Sequence, residues 1–210
     1  MMKRKIPFEK YEGAGNDFIL FDFFEFDLVD LTNRQLMELL CHRHYGIGAD
    51  GILALCKNNL YDFEMKYLNA DGRFSSFCGN GSRCISNYAA KKFGKRKLHF
   101  LASDGEHFSE ILEDDLVKVK MKDISEIKNT EFGVVINSGS PHLIIPEEKP
   151  LTNLNLEQTG RQLRNQFQPD GINVNFVTYD NLNIKMTTYE RGVENLTLAC
   201  GTGITAAHPG

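Results

Sequence analysis

Long apolar runs, closely spaced cysteine pairs, low-complexity stretches and an excess of positive charge are all missing from this sequence of 210 residues. No segment approaches the roughly 18 apolar residues of a membrane-spanning helix. The basic start, Lys3-Arg4-Lys5, lacks the apolar stretch of a secretory signal. There is no C-x-x-C pair, and the five cysteines (Cys41, Cys56, Cys78, Cys84, Cys200) are odd in number and thinly spread. That argues against both a secreted disulfide framework and a structural zinc site. Lys+Arg at 24 against Asp+Glu at 28 gives a net charge of −4, the wrong sign for a nucleic-acid binder by bulk charge. What remains is a soluble chain, expected in the cytoplasm. Its 41% hydrophobic and 25% charged residues are enough to bury a real core. The length fits one large domain or two small ones.

Strand patterns dominate. Apolar and polar residues alternate at Phe63–Tyr67, at Val117–Met121 and at Leu182–Met186, each a half-buried strand. Asp104-Gly105 between two such runs predicts a hairpin turn, and Asp114-Asp115 a second turn. Helices are fewer. Thr32 with Gln35 reads as a capping box before Leu36, Leu39 and Leu40, with Gly46 beyond the end. Asn155 with Gln158 opens another helix, carrying Leu156, Leu163 and Phe167 and stopping before Pro169. A third starts near Gly79, carries Ile85, Tyr88 and Ala89, has Lys91 and Lys92 in its last turn, and stops at Gly94. Groups of strands punctuated by single helices predict an α+β fold rather than a doubly wound sheet. The polar stretch Asp123–Thr130 separates two strand clusters and divides the chain into residues 1–124 and 125–210.

The most informative feature is an internal echo. MKYLNADGRFSSFCGNGSRC at 65–84 and MTTYERGVENLTLACGTGITA at 186–206 share one plan. A strand runs into a polar-Gly turn (Asp71-Gly72, Arg191-Gly192), a short loop follows, and then C-G-x-G opens a helix. Each half therefore places one cysteine, Cys78 or Cys200, at a helix N-terminus. Unpaired N–H groups and the positive end of the dipole there favour thiolate, so lowered thiol pKa values are expected. Gly79, Gly81, Gly201 and Gly203 let a ligand approach the backbone, and each loop is a candidate carboxylate cradle. Two such thiols facing one carbon from opposite sides can remove a proton from one face and return one to the other, inverting the centre. The plainer alternative, a packed core cysteine ahead of a helix, stands beside this for each thiol taken alone. Cys41, Cys56 and Cys84 read as core residues.

Taken in order, GAGNDF (13–18), RHYGIGADG (43–51), NADG (69–72), FCGNGSRC (77–84), GSPH (139–142), GINVNF (171–176), YERG (189–192) and ACGTG (199–203) resemble the diaminopimelate epimerases. The resemblance covers nearly the whole chain. It implies two pseudo-symmetric α+β domains, each a mixed or mostly antiparallel sheet wrapped around a central helix, with the active site in the cleft between them. It also implies interconversion of LL- and meso-2,6-diaminopimelate, in lysine and peptidoglycan precursor synthesis, with Cys78 and Cys200 as the acid/base pair. Neither pyridoxal phosphate nor a metal is implied. His142 and Glu190 would tune the thiols. Asn16, Asn69, Asn173, Glu190 and Arg191 would contact substrate, and the backbones of Gly79-Asn80 and Gly201-Thr202 would hold the α-carboxylate. The expected assembly is a cytoplasmic homodimer with no nucleic-acid or membrane partner.

The residue chemistry fits those roles. A two-ended diamino acid needs a cation for its distal carboxylate, acceptors for its distal ammonium, and amides for orientation. Arg191 supplies a fork, Glu190 an acceptor, and the asparagines both donors and acceptors. Ser140 stands where many members carry asparagine, so its contact with substrate is left open. The sequence ends at Gly210, soon after the second helix opens, where members run some tens of residues further. The reading therefore expects a truncated end, a second half less stable than the first, and weak turnover. Three alternatives stay open: a proline racemase-like isomerase of the same architecture, a dithiol redox protein, and an inactive remnant that binds ligand.

Overall fold

Alternating apolar and polar residues build most of the molecule from strands. The structure is a computed structural model, described for residues 5–25, 29–124, 126–148, 155–180, 183–197 and 199–208. Met1–Arg4, Leu182 and Pro209-Gly210, used in the reading above, lie outside the described residues. The chain divides into two compact units, Met1–Lys120 and Met121–Gly210.

The first unit is a seven-stranded sheet whose spatial order is its chain order. Its strands are β1 (Glu9–Gly13), β2 (Asn16–Asp22), β3 (Gly51–Cys56), β4 (Phe63–Asn69), β5 (Lys97–Ala102), β6 (Gly105–Ile111) and β7 (Val117–Val119). β2/β3 and β4/β5 are parallel, the other neighbours antiparallel. A parallel pair needs a crossover, and the two crossovers carry helices α1 (Arg34–Cys41) and α2 (Gly79–Phe93). α2 packs against all seven strands, so the sheet wraps around it. Its buried positions include Cys84, Ile85 and Ala89, and Gly94 closes it in the left-handed conformation with φ 65°.

The second unit is a six-stranded sheet of β8 (Ile127–Thr130), β9 (Gly133–Asn137), β10 (Pro141–Pro146), β11 (Asn173–Asp180), β12 (Asn183–Glu190) and β13 (Asn195–Thr197), again in chain order. β10 and β11 run parallel. The crossover between them carries α3 (Leu156–Arg164), and α4 (Gly201–Ala207) follows β13. The helices use opposite faces of this sheet, because side chains alternate along a strand. Leu143, Val174, Phe176 and Tyr189 pack with Leu156 of α3. Ile136, Ile144 and Val177 pack with Ala206 and Ala207 of α4. Two mixed sheets with few helices make the fold α+β, as the sequence predicts.

Three local expectations are corrected. The cap of α1 is Asn33, not Thr32: the Asn33 side chain accepts from Leu36 N at 3.1 Å, while the Thr32 hydroxyl is committed to Asp30 Oδ1 at 2.6 Å. α1 buries Met37 and Cys41, leaving Leu36 and Leu40 half-buried and Leu39 49% exposed. The β5–β6 hairpin turns on Ser103-Asp104, since Gly105 already pairs with Ala102 as the first residue of the returning strand.

Candidate active site

Both halves of the sequence echo become the same local structure. β4 ends at Asn69 in a turn where Gly72 has φ 74°, and β12 ends at Glu190 in a turn where Gly192 has φ 93°. Glycine adopts that conformation without a Cβ penalty. Each turn is followed by a short extended segment, and then by a cysteine in extended conformation capping a helix: Cys78 before α2 and Cys200 before α4.

Cys78 is buried, and its Sγ accepts from Gly81 N at 3.4 Å. It also faces Asn16 Oδ1 at 3.9 Å. Asn16, buried at the start of β2, is oriented by Asp50, whose Oδ2 accepts from Asn16 Nδ2 at 2.9 Å. Arg43 holds Asp50 in turn at 2.6 Å and reaches Asp17 at 2.8 Å. Asn80 is buried, and its Oδ1 accepts from Arg83 at 2.5 Å. Asn69 makes its turn through the backbone, with Gly72 N donating to Asn69 O at 2.9 Å, and its amide is half-buried. Asn16 and the Gly81 N–H thus face the Cys78 sulfur, with Gly79 and Asn80 following it in the chain as the first residues of α2.

Cys200 is equally buried, and its Sγ lies 3.5 Å from Thr202 Oγ1. The expectation of a lowered thiol pKa is overturned here. Burial pushes Cys200 up to about 12, and the negative charge of Glu190 adds to the rise. The Thr202 hydroxyl and the backbone N–H groups of Gly203 and Thr202 pull the other way without prevailing. Desolvation of a charged thiolate outweighs the helix terminus in the free protein. Cys200, Thr202 and Glu190 are thus neighbours in this unit. His142 is fully buried on β10, its Nε2 2.8 Å from Thr202 Oγ1. Burial pushes its imidazole down to about 3, so it is neutral near pH 7.

Asn173, at the start of β11, has its amide engaged by the protein itself. Nδ2 donates to Ser140 Oγ and to Pro141 O, both at 2.9 Å, and Oδ1 accepts from Arg191 N at 2.9 Å. It braces the β10 entry and the Arg191 turn, and Arg191 itself is half-buried. Asp50, Arg43, Ser138 and Asn175 were not singled out from the sequence, although all but Ser138 lie inside the quoted motifs. Ser138 Oγ donates to Thr202 O at 2.7 Å, and Asn175 Nδ2 lies 3.0 Å from His142 Nδ1. Among the described residues, no three His, Cys, Asp or Glu side chains gather as a metal site, and no helix is long and apolar enough to cross a membrane.

A sequence model of the family described as "Diaminopimelate epimerase" matches residues 8–126 and 134–208. A diaminopimelate epimerase of Flavobacterium psychrophilum is 40% identical over 201 residues, covering 94% of this chain and 78% of the relative. One from a Hydrogenobaculum species is 38% identical over 221 residues, covering 94% and 79%. Solved structures of similar fold include a hydroxyproline epimerase from Agrobacterium vitis, with TM-score 0.60, 14% identity, and 96% and 75% of the two chains covered. A phenazine biosynthesis protein of the PhzF family from Bacillus anthracis has TM-score 0.61, 14% identity, and coverage of 92% and 74%.

Proposed function

Because the chain belongs to the diaminopimelate epimerase family, we propose that it is a cofactor-independent isomerase interconverting LL- and meso-2,6-diaminopimelate. The observation that carries this is the repeated strand, glycine turn, cysteine cap and helix in the two halves of a chain of that family. In the reaction, one of Cys78 and Cys200 takes the α-hydrogen as a proton, leaving its electron pair on the carbon. The other thiol delivers its proton to the opposite face. One thiolate has become a thiol and one thiol a thiolate, and exchange with solvent resets the pair.

The free thiol at Cys200 is too basic to be ionised to any large extent at neutral pH, so deprotonation belongs to the substrate-bound state. The bound α-ammonium would favour thiolate nearby, as an opposite charge does. The α-carboxylate is assigned to the backbone N–H groups of Gly79-Asn80 and Gly201-Thr202. Arg191 would take the distal carboxylate, and Glu190, Asn16 and Asn69 polar groups of the substrate. Asn173 would act in the same site by holding the Arg191 turn. His142 and Glu190 set the electrostatics of the thiols. A homodimer in the cytoplasm belongs to the same proposal, carried by the family resemblance.

Incubation with meso-diaminopimelate in heavy water tests it. Deuterium should enter the α-carbon during inversion, and Cys78→Ala and Cys200→Ala should each abolish epimerisation while affecting binding less. Full turnover by Cys200→Ala would overturn the two-thiol mechanism. Turnover of proline in place of diaminopimelate would favour the racemase-like reading.

A further inference from the structure

The face of the second sheet that lies under α4 carries buried polar residues where the surrounding pattern is apolar. Thr188, Asn175 and His142 are buried on that face, and Thr202 of α4 is buried beside Cys200. Strand register sets the three sheet residues side by side: β11 pairs Asn175 with Thr188, and β10 runs next to β11 with His142 opposite Asn173. A buried polar cluster must satisfy its donors and acceptors internally. Here the satisfaction fixes the direction of the hydrogen bonds as far as the Thr202 oxygen.

The direction starts at Asn175. Its Nδ2 lies 3.2 Å from Leu143 O and 3.3 Å from Asn173 O, carbonyls that can only accept. Its Oδ1 accepts from the Thr188 hydroxyl at 2.9 Å. The amide therefore presents N–H to His142 Nδ1 at 3.0 Å. That nitrogen must offer a lone pair, so the single proton of a neutral imidazole sits on Nε2. Nε2 then donates to Thr202 Oγ1 at 2.8 Å. The threonine oxygen keeps a second lone pair, so either atom can donate in its 3.5 Å contact with the neutral Cys200 thiol; a Cys200 thiolate can only accept, and the Thr202 hydrogen then turns to its Sγ. Ser138, donating to Thr202 O at 2.7 Å, pins the same residue from the backbone side.

We propose that Thr188, Asn175, His142 and Thr202 form a one-way hydrogen-bond relay whose last hydrogen is given to Cys200 Sγ when that sulfur is a thiolate, making the Thr202 hydroxyl and the three residues behind it positioning groups for the Cys200 thiolate. This rests on the reading of Cys200 as one of the proton-exchanging thiols, and it assigns the Thr202 side chain a role separate from its backbone N–H. No proton moves along the relay: each hydrogen stays on its donor. A hydrogen bond given to the charged form favours that form. The relay therefore stabilises the thiolate when the reaction makes it, against the opposing burial and the carboxylate of Glu190. The charged or titratable groups bearing on it are Glu190, Arg191 and His142 itself.

Two measurements test this. The first needs no variant: nitrogen NMR of the His142 ring in the full chain at neutral pH should show Nε2 protonated and Nδ1 bare. Protonation on Nδ1 would overturn the relay. The second follows alkylation of Cys200 by iodoacetamide at fixed pH, read by peptide mass spectrometry as a measure of thiolate fraction. One charge-assisted hydrogen bond should shift that fraction about tenfold, so Thr202→Val should alkylate about tenfold more slowly and Thr202→Ser within about twofold of the parent. In turnover, Thr202→Val should lose kcat with little change in KM, because its backbone N–H remains. Equal alkylation of the Val variant and the parent would also overturn the relay. If the parent chain alkylates as expected but does not epimerise diaminopimelate, the functional reading fails and the relay stands.

Discussion

Asn16 and Asp50 are joined by a 2.9 Å hydrogen bond that turns the amide oxygen of Asn16 toward the Cys78 thiol. The carboxylate that sets this orientation is itself set by Arg43, which lies between Asp50 and Asp17. Lys10 joins the network through Asp17 at 2.7 Å. Burial works against ionised Asp17, yet its hydrogen bonds from Arg43 and Lys10 hold the carboxyl well below the usual carboxylate range. Cys78 thus faces an acceptor on Asn16, whereas Cys200 faces the Thr202 hydroxyl. The two thiols have different hydrogen-bond surroundings within parallel local folds.

Asp50→Ala should release the Asn16 amide, which can then present N–H or C=O to Cys78. Asp50 Oδ2 also accepts from Asp17 N at 3.1 Å, so a half-buried donor loses that partner as well. The expected cost is about 1–3 kcal/mol of stability, together with a fall in kcat. Denaturant melts and steady-state turnover of the variant check both. Unchanged kcat would show that Asn16 holds its orientation without the carboxylate.

His142 predicts an acid weakness. Its pKa in the folded protein is lowered to about 3 from an ordinary 6.5, by burial. Between those values the unfolded chain binds a proton that the folded chain refuses. The contribution is therefore fully present above 6.5 and is lost as pH falls toward 3, at about 1.4 kcal/mol per pH unit for one proton. His142→Gln should flatten this part of the stability profile while lowering stability at neutral pH. Urea midpoints across that range are the readout, and parallel profiles for the two proteins would assign the acid sensitivity elsewhere.

The helix α2 and its cysteine cap were legible because the signals are local: C-G-x-G at one end, Lys91, Lys92 and Gly94 at the other. The internal echo was legible for the same reason, since a glycine turn before each cysteine leaves a mark in sequence. What failed was what depends on a second layer. Asn175 alternates with Val174 and Phe176 just as a solvent-facing residue would, yet it is fully buried because α4 covers that face. The thiol pKa failed for a related reason: position at a helix terminus can be read from sequence, whereas the degree of desolvation cannot. Thr32 and Asn33 were both acceptable caps by type, and the tie was decided by Asp30, which takes the threonine hydroxyl.

Cys84, inside α2, offers a contrast with Cys78, the cap six residues earlier. It is buried, and burial pushes its thiol up to about 11, so it remains a neutral core group. A Cβ added at Gly13 would lie 3.1 Å from its sulfur, which measures how closely β1 packs there. Cys84→Ala should cost about 1–2 kcal/mol through the space it leaves and leave kcat unchanged. Cys78→Ala should do the reverse, ending turnover with a small effect on melting. Loss of turnover in the Cys84 variant without loss of fold would call for a role beyond packing.

The tightest steric demand near Cys200 falls on Gly203, and it separates relay from scaffold. A Cβ there would come 2.6 Å from Asn175 Oδ1 and 3.3 Å from Cys200 Sγ. Neither atom can yield freely: the amide oxygen is held by Thr188, and the sulfur sits at the helix cap. Gly203→Ala should displace Asn175 or the first turn of α4, and overpacking of this kind costs about 1–3 kcal/mol. It should also release the His142 tautomer, so kcat should fall further than the loss of folded protein explains. Gly94→Ala is the matched control. That glycine has φ 65° and nothing within 4 Å of its added Cβ, so the change strains backbone without touching a thiol. It should cost stability, about 1 kcal/mol, and leave kcat alone. Nitrogen NMR of His142 in both variants gives the deciding reading. A mixed or inverted tautomer in Gly203→Ala, beside the parent tautomer in Gly94→Ala, ties the loss of turnover to Asn175. The parent tautomer in both, with turnover lost only in the first, would place the effect in the Cys200 backbone instead.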